Sequence, residues 1–209
     1  MPATATSPNP AALKRAAAEL IAAGRDFAAR GWVPATSGNL SARLDAHTMA
    51  VTLSGRDKGA LIPEDFVAAE IDAPPPPGVS AEAPLHALLY RTDPAVGAVL
   101  HVHSLTVTLA GLEHEAAGVV VLEGYEMLKA LSGIRTHEIR VEVPVFPNDQ
   151  DIPALATRVA PRLKAGTWGY LIAGHGLYAW GKDVAEARRH VEAFDFLLAL
   201  DRERTRRPK

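Results

Sequence analysis

A short apolar run that ends in two histidines constrains the fold of this chain most strongly. Residues 98–100 are Ala-Val-Leu, as in a buried strand, and His101 and His103 follow. Alternate residues of a strand point to one face of its sheet, so the two imidazoles project together, about 7 Å apart along the chain. Such a pair can converge on one metal ion, although polar residues at a strand end can also simply hydrogen-bond to neighbours. The segment therefore predicts a buried strand that ends at a candidate metal site.

The composition limits the available ligands and partners. The chain has 209 residues, no cysteine and a formal net charge of -2. Its length suits a single well-filled core and is short for two domains. Without thiolates, a metal would need histidine and carboxylate ligands, and the charge gives no general attraction to nucleic acid. No apolar run approaches the roughly 20 residues of a membrane span, and residues 1–10 lack the pattern of a signal peptide. We therefore expect a cytoplasmic protein that binds neither nucleic acid nor membrane.

A third histidine has the surroundings of a metal ligand. His175 lies between Gly174 and Gly176, and glycines allow a tight turn and a close approach of the backbone. A turn histidine that only faces solvent is the alternative. Together with His101 and His103 it would complete a three-histidine site with an open coordination position. Three neutral ligands leave a divalent metal its full charge, which suits a Lewis acid that polarises an oxygen atom.

The remaining pattern predicts an α/β chain. Apolar residues recur with a 3.6-residue period after Asn9-Pro10 and again over residues 183–202, as in amphipathic helices. Short apolar runs between polar or glycine-containing turns predict strands. Strands and helices mix without strict alternation, which favours a mainly antiparallel central sheet. We expect a disordered segment over residues 1–9, one domain over 10–202 and a basic tail over 203–209.

Three segments rich in small and hydroxyl-bearing residues are candidates for binding a phosphate group. Backbone N–H groups, hydroxyls and one ammonium are the donors that a phosphate monoester needs. The spacing matches no P-loop or dinucleotide fingerprint, and ordinary turns are the alternative. The candidate residues are Ser37, Gly38, Asn39, Ser54, Gly55, Lys58 and Ser80.

Two glutamates are candidates for acid–base chemistry. Glu82 heads a predicted helix just before the histidine-bearing strand, and Glu126 follows another predicted strand further along the chain. A metal enzyme needs a base that tight coordination does not neutralise. A solvated surface position is the alternative for either residue, because glutamate is usually exposed.

Together these segments resemble the class II aldolase/adducin family. The matching motifs lie in the family's order at residues 36–41, 80–86, 101–104 and 174–181. The resemblance implies a three-layer α/β/α domain with a mainly antiparallel central sheet and a sugar-phosphate substrate. It also implies one zinc ion per subunit on His101, His103 and His175, and a homotetramer with the zinc site near subunit interfaces. In such a protein the three small-residue segments bind the phosphate.

Within that family, the chain is most similar to zinc-dependent sugar-phosphate dehydratases of methionine salvage. The similar segments are Gly31-Trp32-Val33-Pro34, Ser54-Gly55 with Lys58, and Glu126-Met127-Leu128. In that subfamily the glutamate of a Glu-Met segment is the acid/base, which gives that role to Glu126 and leaves Glu82 to position the substrate or a water.

Two alternatives remain open from the sequence. Some of these dehydratases have cysteine where this chain has Glu82, whereas the family's sugar-phosphate aldolases have glutamate there. Aldolase cleavage of a ketose 1-phosphate is therefore one alternative. A non-catalytic, adducin-like interaction module is the other, and the intact His101, His103, His175 and Glu126 argue against it.

Overall fold

The computed structural model describes residues 9–164 and 166–206. Most of the segment expected to be disordered, residues 1–8, lies outside the described residues. Asn9 already caps the first helix, where its side chain accepts a hydrogen bond from the backbone N–H of Ala11. Of the expected basic tail, residues 203–206 continue the last helix, and residues 207–209 lie outside the described part.

The described chain contains five α-helices and eight strands. The helices are α1 (Pro10–Ala29), α2 (Ala83–Thr92), α3 (Leu105–His114), α4 (Ile152–Val159) and α5 (Val184–Arg206). The strands are β1 (Asn39–Arg43), β2 (Thr48–Thr52), β3 (Phe66–Glu70), β4 (Ala98–Val102), β5 (Val119–Glu123), β6 (Arg140–Phe146), β7 (Gly169–Ile172) and β8 (Gly176–Gly181). Short 3-10 helices cover Pro63–Asp65, Glu126–Ala130 and Ala160–Arg162. None of these helices combines the length and the apolar character that a membrane crossing requires.

All eight strands form one mixed sheet in the order β3-β2-β1-β4-β8-β7-β6-β5. Every neighbouring pair is antiparallel except β6 with β7, which is parallel. The expected α/β class and the mainly antiparallel sheet are therefore confirmed.

Helices cover both faces of this sheet, as the surroundings of β4 show. Leu100 packs in a cluster with residues of α1, α3 and α5, whereas the adjacent Val99 packs in a second cluster with residues of α2 and α4. Because both faces of β4 are buried, residues 98–100 form a continuous apolar run rather than an alternating pattern.

The sheet register decides what surrounds the end of β4. His101 pairs with Asn39 of β1 on one side and with Tyr178 of β8 on the other. Since both pairings are antiparallel, the end of β4 lies beside the starts of β1 and β8. Loops that precede these two strands therefore converge on the histidines.

Candidate active site

Three imidazoles meet where β4 ends and the turn between β7 and β8 begins. His103 Nε2 lies 2.8 Å from His101 Nε2, and His175 Nε2 lies 3.2 Å from the same atom. All three candidate ligand atoms lie within 4.8 Å of one another. Two nitrogens on one tetrahedral zinc ion, each about 2.0–2.1 Å from the metal, are about 3.3 Å apart. The three histidines singled out in the sequence thus lie together at a spacing that suits a single ion.

Gly176 makes this close approach possible. A Cβ atom at that position would lie 2.2 Å from the carbonyl oxygen of Val102 and 3.0 Å from Cε1 of His101. Any larger residue would push the turn away from β4 and would separate His175 from the other two imidazoles. Gly174 has a positive φ of 64°, which a residue with a side chain adopts only with strain.

Hydrogen bonds fix the tautomers of two of these histidines. His101 Nδ1 lies 3.0 Å from the carbonyl oxygen of Leu177, which can only accept, so Nδ1 carries the proton. His175 Nδ1 donates to Asn148 Oδ1 at 3.3 Å. Burial lowers the pKa of His101 well below its usual value and lowers that of His103 to about 4. In the neutral tautomers with Nδ1 protonated, the Nε2 lone pairs of His101 and His175 face the shared point.

Glu82 lies against two of these imidazoles, those of His175 and His101. Its Oε1 is 2.9 Å from His175 Nε2, and its Oε2 is 3.6 Å from His101 Nε2. Burial acts to raise the pKa of Glu82, but the adjacent imidazoles of His175 and His101 and the amide of Asn39 outweigh it and lower the pKa well below its usual range. An ionised carboxylate is therefore available at this point at neutral pH.

The structure brings the three candidate phosphate-binding segments side by side. The Lys58 ammonium donates to the carbonyl oxygens of Thr36 and Arg56, each at 2.7 Å, and so ties the first segment to the second. The backbone N–H of Ser54 donates to the carbonyl oxygen of Gly78 at 2.8 Å, which joins the second segment to the third. Lys58 is only 1% exposed, and burial lowers its pKa. One of its three ammonium protons remains for a further acceptor.

The other candidate phosphate-binding residues, Ser37 and Gly38 before β1 and Ser54 and Gly55 after β2, differ in their surroundings. Ser37 Oγ is buried and has no hydrogen-bond partner among the described residues. Gly38 has a φ of 77°, and a Cβ there would lie 2.6 Å from the carbonyl oxygen of His101. Ser54 and Gly55 are exposed. The cluster thus offers an unused hydroxyl and accessible backbone next to the histidines.

Asn39 and Ser80 bond to Glu82. Asn39 Nδ2 donates to Glu82 Oε2 at 2.7 Å and to Ser80 Oγ at 3.4 Å, while Asn39 Oδ1 accepts from His86. Ser80 Oγ also accepts from the backbone N–H of Glu82 at 3.3 Å. Two residues that the sequence suggested for phosphate therefore also hold the carboxylate in place.

Glu126 is not brought to the histidines within one chain. Its side chain is 72% exposed, and its described ionic partners are Lys129 at 2.5 Å and His137 at 3.7 Å. It stands on the 3-10 helix Glu126–Ala130 and lines a shallow depression together with Met127 and Phe196. Its candidate role remains a prediction.

Sequence reasoning missed two residues that support the histidines. Tyr178 stacks on His101 with ring centroids 3.9 Å apart and an angle of 15° between the rings. Asn148 orients His175 from the loop after β6. Tyr178 is indistinguishable from a core residue until the pairing of β4 with β8 is known, and nothing in the sequence marks Asn148.

The sequence of this chain matches a known protein family over most of its length. The family profile of the Class II Aldolase and Adducin N-terminal domain matches residues 18–201. This chain belongs to the class II aldolase and adducin family. The resemblance inferred from the motifs is therefore confirmed.

Several relatives in the class II aldolase and adducin family carry one name. A methylthioribulose-1-phosphate dehydratase of Xanthomonas campestris pv. campestris (strain 8004) is 51% identical over 205 residues, which cover 96% of this chain and 94% of that protein. A protein of the same name from Bradyrhizobium sp. (strain BTAi1) is 51% identical over 194 residues, or 90% of each chain. Among solved structures, an L-fuculose-1-phosphate aldolase of Thermus thermophilus has a TM-score of 0.76 at 25% identity and covers 92% of this chain and 96% of its own.

The geometry generates a prediction about metal binding. We expect the purified protein to hold one metal ion per chain and His101→Ala to lose it, because a buried nitrogen ligand is removed. Elemental analysis of the protein after gel filtration measures this. The control is His47→Ala, which removes an exposed histidine and should leave the metal content unchanged. Full metal occupancy and normal turnover in His101→Ala would contradict the assignment.

Proposed function

We propose that this chain is a methylthioribulose-1-phosphate dehydratase. It converts 5-methylthioribulose 1-phosphate into 5-methylthio-2,3-dioxopentyl phosphate and water, a step of methionine salvage. The observation that carries this proposal is the 51% identity, over 96% of the chain, to a relative of that name. The convergence of His101, His103 and His175 supports it, because a non-catalytic relative would have no need of such a cluster.

We propose zinc as the metal, with one ion per subunit held by the three histidines. Neutral imidazole nitrogens are ligands that zinc accepts readily, and the burial of His101 and His103 keeps them neutral. When bound, zinc supplies a Lewis acid that polarises the carbonyl oxygen of the substrate. Elemental analysis distinguishes it from manganese or iron, which also accept histidine and oxygen ligands.

We propose that the substrate phosphate binds where the three small-residue segments meet. The unpartnered hydroxyl of Ser37, the third N–H of Lys58 and the exposed backbone at Ser54 and Gly55 are suitable donors. A Cβ at Gly38 would lie 2.6 Å from the carbonyl oxygen of His101, so the cluster lies close to the histidines. Gly38, Asn39 and Ser80 complete the cradle.

We propose Glu126 as the acid/base of the reaction. A dehydration needs a group that removes the proton at C3 and returns a proton to the departing C4 hydroxyl, so that one water molecule is lost. A carboxylate whose pKa lies near neutrality when the substrate is bound performs both transfers. Glu82 then positions the substrate or a water, in keeping with the hydrogen bond that it accepts from Asn39 and with its place 2.9 Å from His175 Nε2.

We propose that Glu126 acts on the site of a neighbouring subunit in a homotetramer. Within one chain Glu126 pairs with Lys129 and His137 rather than with the site histidines. Exposed apolar side chains near it, Met127 and Phe196, support a subunit interface on this surface. We further propose that residues 10–202 form a single catalytic domain with a three-layer α/β/α arrangement. The protein would act in the cytoplasm.

Retro-aldol cleavage of a ketose 1-phosphate is the second candidate function. The observation in its favour is Glu82, which lies 2.9 Å from His175, whereas the described ion pairs of Glu126 within one chain are with Lys129 and His137. The similarity to an L-fuculose-1-phosphate aldolase agrees with this alternative.

Product analysis separates the two reactions. We expect proton NMR of the reaction of the metal-loaded enzyme with synthetic 5-methylthioribulose 1-phosphate to show one five-carbon diketone phosphate that retains the methylthio group. Retro-aldol cleavage between C3 and C4 would instead give dihydroxyacetone phosphate and methylthioacetaldehyde. Appearance of those two fragments, or no turnover at all, would refute the dehydratase assignment.

The phosphate cradle generates a prediction about Lys58. Lys58→Met keeps the length of the side chain and removes its charge, so it should raise KM by about 10- to 100-fold, the equivalent of roughly 1.5–3 kcal/mol. Lys14→Met, on the exposed face of α1, is the control and should have wild-type kinetics. Unchanged kcat and KM in Lys58→Met would show that this lysine only joins the two loops.

The proposed acid/base generates a further prediction. Glu126→Gln keeps the shape of the side chain but cannot transfer protons, so it should retain the metal and lower kcat by about 10²–10⁴-fold. Glu82→Gln should lower kcat less. If Glu82→Gln abolishes turnover and Glu126→Gln leaves it nearly intact, the aldolase alternative moves to first place.

Oligomers that contain two different variants test whether Glu126 acts in the site of a neighbouring subunit. Co-expression of Glu126→Gln with His103→Ala should restore part of the turnover, because some sites then combine intact histidines with an intact Glu126 from a neighbour. Mixed oligomers that form but remain inactive would place Glu126 outside the neighbouring site.

A further inference from the structure

A buried chain of hydrogen bonds leads from Glu82 into the core. Asn39 Nδ2 donates to Glu82 Oε2 at 2.7 Å, and Asn39 Oδ1 lies in hydrogen-bond contact with His86 Nε2. On the other side of the ring, His86 Nδ1 lies 2.7 Å from Ser41 Oγ, which lies 2.8 Å from the Tyr90 hydroxyl. Asn39, Ser41, His86 and Tyr90 are all buried, so the bonds within this chain are shielded from water.

Only one arrangement of donors and acceptors satisfies every group in this series of hydrogen bonds. Asn39 Nδ2 is a donor and lies 2.7 Å from Glu82 Oε2, so the amide presents its carbonyl oxygen to His86. A carbonyl oxygen also only accepts, so His86 Nε2 carries a proton. In a neutral imidazole Nδ1 then accepts from the Ser41 hydroxyl, and Ser41 Oγ accepts from the Tyr90 hydroxyl. Burial lowers the pKa of His86 to about 4, in agreement with a neutral ring.

These hydrogen bonds determine which way the side-chain amide of Asn39 points. The backbone of Asn39 is already fixed, because Asn39 pairs with His101 in the sheet. The two ends of an amide have nearly the same shape, and a 180° rotation exchanges its oxygen and its nitrogen. A rotated Asn39 would point its oxygen at the Glu82 carboxylate and its N–H groups at the Nε2–H of His86. Both contacts are unfavourable in a buried site.

We propose that His86 is a positioning residue for the reaction. Its Nε2–H holds the carbonyl oxygen of Asn39, which aims the Asn39 NH₂ group at Glu82 and keeps that carboxylate beside the three histidines. His86 itself binds neither metal nor substrate. The proposal deepens the proposed function, on which its turnover readout rests, whereas the tautomer of His86 is measured independently of any activity.

Two substitutions of His86 separate this role from simple packing. The side-chain nitrogen of His86→Gln reaches the position of Nε2 and can still donate to Asn39. The shorter amide of His86→Asn reaches only the position of Nδ1, so it retains a partner for Ser41 and leaves Asn39 without its donor. Both variants lose the edge contact between the His86 ring and the Tyr178 ring, whose centroids are 5.5 Å apart. A difference between the two variants therefore cannot come from the loss of this contact.

We expect His86→Asn to lower kcat by about 10- to 100-fold, the usual range for residues that orient the groups around a metal site. His86→Gln should retain most of the turnover. Both should retain the metal, because the three histidines that would bind it are unchanged. Equal turnover in His86→Gln and His86→Asn, whether high or low, would overturn the proposal.

A spectroscopic measurement tests the tautomer directly. Nitrogen-15 NMR of the metal-loaded enzyme labelled at histidine, with His86 assigned from the spectrum of His86→Gln, should show a neutral ring protonated at Nε2. A ring protonated at Nδ1 or at both nitrogens would overturn the proposal. If the wild-type enzyme lacks dehydratase activity, the proposed function fails, and the tautomer still decides whether His86 fixes the Asn39 amide.

Discussion

The close pairing of β4 with β8 is the interaction on which the candidate site depends. It places Tyr178 against the ring of His101, and it carries the turn with His175 over the end of β4. Gly176 permits this approach, because a Cβ there would collide with the carbonyl oxygen of Val102. The same pairing supplies the Leu177 carbonyl that fixes the tautomer of His101. The pairing of these two strands thus determines both the distance between the imidazoles and the direction of the His101 lone pair.

Burial gives this site its charge distribution. It disfavours the protonated forms of His101, His103 and His86, so these rings remain neutral, while Glu82 stays ionised because polar groups surround it. A buried polar network is costly when any member lacks a partner. The unbroken run from Glu82 through Asn39 satisfies its members and at the same time holds a carboxylate beside the histidines. Stability and site geometry therefore depend on the same hydrogen bonds.

The two glutamates differ in their surroundings. Glu82 is fixed by hydrogen bonds from Asn39 and lies against the histidines, whereas Glu126 stands exposed on a short 3-10 helix among apolar side chains. In the proposed tetramer, the histidine cluster and Glu82 form a rigid inner part of the site that one chain supplies. In this proposal Glu126 would belong to an outer part that contact between subunits completes. Assembly would then be a condition for activity and not only for stability.

Local features of the sequence determined much of the fold and part of the site. The alternation of a strand placed His101 and His103 on one face, and Asn9 followed by Pro10 set the start of α1, because both effects depend only on neighbouring backbone. The order of motifs along the chain was sufficient to identify the family. The positions of α1 and α5 followed from the 3.6-residue periodicity for the same local reason.

The tertiary structure decided the contacts between distant segments. The sequence did not show that Lys58 is buried between two loops, that Asn39 bonds to Glu82, or that Tyr178 and Asn148 support the histidines. These contacts depend on which strands pair and in which register. That choice is made by the packing of both faces of the sheet against helices far apart in the chain, and no short stretch of sequence encodes it.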